Sequence, residues 1–153
     1  MNINENLKKL GLELPSAPPK GGVYTPCMRF GENERLCYIS GCGPNIGDNT
    51  VSGKLGAEFT LEDGQEYARR CMMNVLAVLQ AEIGDLNKVK KAVKILVFVA
   101  GTDTFYQQPA VANGASELLM NLLGHVPSRS AIGTNALPGN IPVEIEAIFE
   151  VEA

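Results

Sequence analysis

An α+β sandwich, with two helices packed on one face of a mixed sheet, is the fold class this sequence predicts. Three observations lead there. Two stretches, 60–83 and 109–124, carry apolar residues at helical spacing; two others, 93–99 and 143–151, alternate or run apolar as strands do. Turn-forming Gly, Pro and Asn clusters punctuate them in the order hairpin, helix, long strand, helix, hairpin. Helices and strands of this size bury their apolar sides only by stacking in layers.

Taken in order, residues 2–12 suit a short amphipathic helix through Ile3, Leu7, Leu10 and Leu12, stopped by "LPSAPPKGG". "VYTPCMRFGENERLCYISG" contains two short β-like runs around "GEN", a hairpin pattern. "GPNIGDNTVSGKLG" reads as a loop. Thr60 and Asp63 bracket a helix start, because the threonine hydroxyl is available to cap backbone N–H groups. That helix runs to about Ile83, and Gly84 stands where a left-handed cap is needed. Ala68, Met72, Val75, Leu76, Leu79 and Ile83 form its buried stripe.

The segment "VKKAVKILVFVAG" predicts a long strand with Val93, Ile95, Val97 and Val99 on one face. Leu96 and Phe98 are also apolar, so both faces of this strand are expected to be covered. A second helix follows Pro109, with Val111, Ala115, Leu118, Leu119 and Leu122 inward and Gly124 as terminator. A strand near 128–134, a turn at "LPGN" and the strand "PVEIEAIFEVE" close the chain. In that last strand Val143, Ile145, Ala147, Phe149 and Val151 point one way, Glu144, Glu146 and Glu150 the other. Two helices cannot cover both faces of such a sheet, so a homo-oligomer is expected to close the second face.

The bulk numbers narrow the function. The 153 residues fit one domain, 1–153, with residues 1–20 as an N-terminal extension. A net charge of −4 provides no footprint for nucleic acid, and the cationic run "KVKKAVK" reads as the solvated start of a strand. No window approaches the roughly 18 apolar residues of a membrane span, and no signal peptide is visible, so a cytoplasmic protein is expected. Cysteines 27, 37, 42 and 71 form no CxxC pair and no zinc spacing, which suits reduced thiols. His125, the single histidine, lies at a helix end where a cation is favourable, and reads as structural.

Three segments carry a family resemblance. "GGVYTPCMRFGENERLCYISGCGP" resembles the opening of the reactive-intermediate-deaminase (Rid/YjgF) family, the endoribonuclease L-PSP-like proteins. There a Tyr precedes a hairpin ending in Ser-Gly-x-x-Pro. "YARRCMMNVLAVLQAEIGDLNKVKKAVKILVFV" is similar to its helix and central strand, including Asn74 and Gly84. "PSRSAIGTNALPGNIPVEIEAI" looks like its C-terminal signature. The resemblance runs from about residue 21 to the end. It implies a chorismate-mutase-like homotrimer with a central barrel, helices outside, and ligand sites in clefts between subunits. It also implies hydrolysis of enamines and imines to 2-keto acids and ammonia, without metal or cofactor.

Position by position, the resemblance places Arg129 on the arginine that holds the substrate carboxylate, where a planar guanidinium makes two parallel hydrogen bonds. It places Glu144 on the glutamate that positions the attacking water, Tyr24 and Asn113 at the cleft, and Gly41 where backbone approaches the ligand. Sequence pattern alone also suits an interface salt bridge for Arg129 and a solvated strand face for Glu144. Where many members carry a cysteine two residues after the arginine, this chain has Ala131; where glutamine commonly follows Ser-Gly, it has Cys42. Those two changes are the support for an alternative, a non-catalytic protein of the same fold that binds a small carboxylate. The loops at 45–57 and 101–109 look longer than the shortest members of the resembled family need, and are expected to reshape the cleft mouth.

Overall fold

The computed structural model describes residues 1–153. Its elements are α1 (Ile3–Lys9), β1 (Cys27–Phe30), β2 (Leu36–Cys42), α2 (Leu61–Ile83), β3 (Val89–Ala100), α3 (Gln108–Leu123), β4 (Ser128–Thr134) and β5 (Val143–Val151). The strands form one mixed sheet in the order β1-β2-β5-β3-β4, with the helices packed together on one side.

Local chemistry accounts for the ends of the helices. At the start of α2, Thr60 Oγ1 accepts from the Asp63 N–H and the Asp63 carboxylate accepts from the Thr60 N–H, a reciprocal cap. Gly84 and Gly124 close α2 and α3 at φ of 83° and 78°, a region that disfavours any Cβ. The two helices cross so closely at Gly114 that a side chain there would strike the backbone of Gln65. α1 is short for an independent helix, but Ile3 and Leu7 are buried in the common core. The Ile3 N–H donates to Asn87 Oδ1 (2.9 Å), and Asn6 Nδ2 donates to the Leu122 carbonyl (2.9 Å).

β5 lies in the middle of the sheet, antiparallel to both β2 and β3. Its alternation is complete: Val143, Ile145, Ala147, Phe149 and Val151 are buried against the helices, and the residues between them are half-buried on the other face. The expected C-terminal hairpin does not form. β4 instead pairs parallel with β3, from Lys94–Ser128 to Ala100–Thr134, because α3 carries the chain back along the helical layer before β4 begins. The chain then crosses β3 to place β5 on its other side.

The inward face of β3 also differs in one residue. A register shift between Ala92 and Lys94 turns Ala92, rather than Val93, into the core beside Ile95, Val97 and Val99. Leu96 and Phe98 point away from the helices and stay partly exposed. Within one chain that second face is uncovered. Met28, Phe30, Tyr38 and Ile132 expose substantial apolar surface on the same side.

Candidate functional site

The residues singled out by sequence fall into two separate groups. The first surrounds Arg129 on β4. Arg129 pairs with Ile95, whose side chain is fully buried under the helices, so its own side chain lies on the helical face at the sheet's edge. There its Nη1 donates to Asn113 Oδ1 (2.8 Å) and to Ser116 Oγ (3.1 Å), both on α3. Asn113 and Ser116 are three residues apart, which puts them on one side of the helix. Both acceptors are neutral. The Nε and second terminal nitrogen of Arg129 donate to nothing within the chain, and no carboxylate pairs with it. Glu117, Met120, Val126 and Pro127 complete the walls of this hollow, with the Glu117 carboxylate outside ion-pair distance of Arg129.

The second group gathers where β2 passes β5. Residues Ser40 and Gly41 lie in a register shift between the Ile39–Ala147 and Cys42–Ile145 pairs, so the strand bulges there. The bulge brings Gly41 against Glu144: a Cβ at 41 would lie 2.9 Å from Glu144 Oε1. A side chain at Gly41 would therefore push the Glu144 carboxylate from its place. Tyr24 stands beside it, and its hydroxyl accepts from the Gly21 N–H (2.9 Å), which ties down the segment before the hairpin. Pro18, Pro19, Lys20, Tyr24, Gly41 and Cys42 enclose much of a cavity of about 160 Å³.

Glu144 is half-buried. Loss of solvent, reinforced by the charge of Glu146, raises its carboxyl above the usual 4.5. Glu146 itself accepts a hydrogen bond from the Tyr38 hydroxyl (2.8 Å). Cys42 is buried next to Glu144, and burial followed by that charge pushes its thiol up to about 12. A thiol in that state is a small apolar filler rather than a nucleophile. His125 accepts from the Ala92 N–H through Nε2 (3.2 Å), a structural bond across the β3 bulge.

Tyr24, Gly41 and Glu144 therefore come together, as do Asn113 and Arg129, but the two groups do not meet in one chain. Glu144 pairs with Phe98 and Arg129 with Ile95, so their side chains project from opposite faces of the sheet. β2 and β4 are three strand spacings apart, about 14 Å. The long loops at 45–57 and 101–109 line neither hollow. Ser116 and Lys20 were not among the residues picked out by sequence. Ser116 had a signal, its position one helical turn from Asn113; Lys20, in an irregular segment, had none. No group of three or more His, Cys, Asp or Glu side chains is arranged to hold a metal ion.

Comparison with known proteins follows the same outline. The model of the family Endoribonuclease L-PSP matches residues 15–151. The chain is 37% identical over 153 residues to Protein TCP17 of Trypanosoma cruzi, covering 97% of this chain and 94% of that one. It is 29% identical over 143 residues to the 2-iminobutanoate/2-iminopropanoate deaminase of Dermatophagoides farinae, covering 92% and 95%. Among solved structures, Agrobacterium tumefaciens protein Atu1372, described as of unknown function, superposes with a TM-score of 0.87 at 36% identity, covering 99% of this chain and 92% of that one.

Proposed function

The chain belongs to the endoribonuclease L-PSP family, the Rid/YjgF family that its motifs resemble, and on that premise we propose that it hydrolyses small 2-imino acids to 2-keto acids and ammonia. The observation that carries the reading is Arg129: a guanidinium held by two neutral oxygens, with its remaining N–H groups unused and no ion pair, although Glu117 lines the same hollow. Its missing partner is the substrate carboxylate.

The site itself is composite. Arg129, Asn113 and Ser116 form one half, and Tyr24, Gly41 and Glu144 the other; a second copy of the chain joins them. The apolar, uncovered sheet face is the surface on which copies meet, and a homotrimer is the assembly that the family resemblance implies. Arg129 of one subunit grips the carboxylate and Glu144 of another holds a water against the imine carbon. The water oxygen adds to that carbon while the C=N electron pair moves to nitrogen. Glu144 takes a proton from the water and delivers it to the nitrogen. The hydroxyl proton of the carbinolamine then passes to the nitrogen, and the C–N bond breaks to release ammonia as the carbonyl forms. Positioning supplies most of the acceleration, and no covalent intermediate is involved, so Ala131 does not remove a required group. The four free cysteines suit a reducing, cytoplasmic compartment.

The test couples the protein to a pyridoxal-phosphate dehydratase and follows 2-keto acid release. The parent is expected to accelerate release, and Arg129→Ala to lower kcat/KM by on the order of a hundredfold, since two charge-assisted hydrogen bonds are lost. Equal rates for parent and variant sink the assignment of Arg129. The second reading rests on Cys42 and Ala131, and predicts saturable binding of 2-ketobutyrate without turnover.

A further inference from the structure

We propose that Lys20 is a specificity-determining residue of this cleft, selecting imines that bear a second carboxylate. The inference rests on the imine-hydrolase reading of the same site and adds the substrate class.

Of the ten residues that line the Tyr24 cavity, Lys20 is the one cation. It makes no hydrogen bond and no ion pair anywhere in the chain, although Glu144 borders the same bulge. Glu144 is raised by burial and by Glu146, with no cation lowering it, so the lysine is not its counter-ion. Nor is Lys20 on a free tail. Pro18 and Pro19 stiffen the backbone before it, and the bond from the Gly21 N–H to the Tyr24 hydroxyl pins the backbone after it. The backbone at Lys20 is thereby fixed, and only its exposed side chain has to order when a ligand arrives.

The assembled cleft then contains two unpaired cations, Arg129 on one wall and Lys20 on the other, with Glu144 set against Gly41, which lines the Lys20 cavity. A monocarboxylate satisfies only the arginine. A 2-imino acid whose side chain ends in a second carboxylate satisfies both, with its imine carbon left between them, near Glu144. The cavity of about 160 Å³ is on the scale of the roughly 150 Å³ spaces that accept a six-carbon ring, enough for a short acidic side chain. Pro18, Pro19, Pro26 and Val78 supply contacts for its methylene groups. One charged pair at an exposed position such as Lys20 is sufficient for up to about fivefold in affinity.

Two stable keto acids probe this directly. Isothermal titration of the full chain with 2-oxoglutarate and 2-ketobutyrate is expected to give a Kd about fivefold lower for the dicarboxylate. Lys20→Met should bring the ratio of the two constants close to one, and Lys20→Arg should restore it. The kinetic counterpart generates the imines with an amino-acid oxidase from glutamate and from 2-aminobutyrate, and the kcat/KM ratio should shift in the same sense. A parent that treats the two acids alike, or a ratio unchanged in Lys20→Met, overturns the role of Lys20. If 2-ketobutyrate binds in an Arg129-dependent manner in that case, the imine-hydrolase reading survives and only this inference falls. If neither acid binds and neither imine is hydrolysed, both fall.

Discussion

Glu144 owes its chemistry to what surrounds one carboxyl group. Half-buried beside Gly41 and Cys42, with Glu146 one face-step along β5, it holds its proton to higher pH than an ordinary glutamate. As the base that takes a proton from water it must be ionised. Activity is therefore expected to be full at neutral pH and to fall, as pH drops, through a midpoint above 4.5. A kcat–pH profile checks this: Glu144→Gln should remove the activity, and Glu146→Gln should move the acid limb downward by removing a like charge. The same shift has a stability consequence of definite sign. The fold favours the protonated carboxyl, so its contribution is present below about pH 4.5 and lost as pH rises through the raised native value. Glu144→Gln should thus melt higher than the parent at pH 7, and the gap should close at pH 4. Of the proposed site residues, the alternation of the last strand identified which face Glu144 occupies. Its burial depends on the β2 bulge, and no local pattern announces that bulge.

Among the elements, α2 was the most legible. Its cap, its apolar stripe and its terminating glycine are all local features, and the observed helix begins and ends where they require. Within the stripe sits Asn74, only 2% exposed. Its Nδ2 donates to the Gly43 and Asn45 carbonyls, both at 2.9 Å, and so anchors the loop that follows Gly41. Asn74→Ala leaves two inward carbonyls without partners. The expected cost is about 1–3 kcal/mol, read as a lower urea midpoint at unchanged slope. An undiminished midpoint would show that water replaces the amide at that position. The last two strands were less legible. A turn between two apolar runs looks like a hairpin, yet β4 pairs parallel with β3 and β5 enters the centre of the sheet. The hydrophobic pattern of β5 fits either place, since it specifies a buried face and not a neighbour.

At the scale of the molecule, one sheet face is covered by helices and the other displays Met28, Phe30, Tyr38, Leu96, Phe98 and Ile132. Apolar surface of that extent on a sheet calls for a partner. Light scattering coupled to size exclusion is expected to report three chains per particle. Leu96→Glu, which places a charge at the centre of that face, should yield a folded monomer by circular dichroism with no imine hydrolysis; an active monomer would rule out the composite site. The sequence by itself determined the elements, their inward faces apart from the Ala92–Val93 step of β3, and the expectation of a covered second face. Those follow from periodicities of 3.6 and 2 and from capping residues, all of which act over a few positions. Only the tertiary structure decided the strand order, and with it the placement of Arg129 and Glu144 on opposite faces, two strand spacings apart. Register and crossover are chosen by contacts between residues distant in the chain, and a one-residue slip would exchange those faces without altering any local pattern.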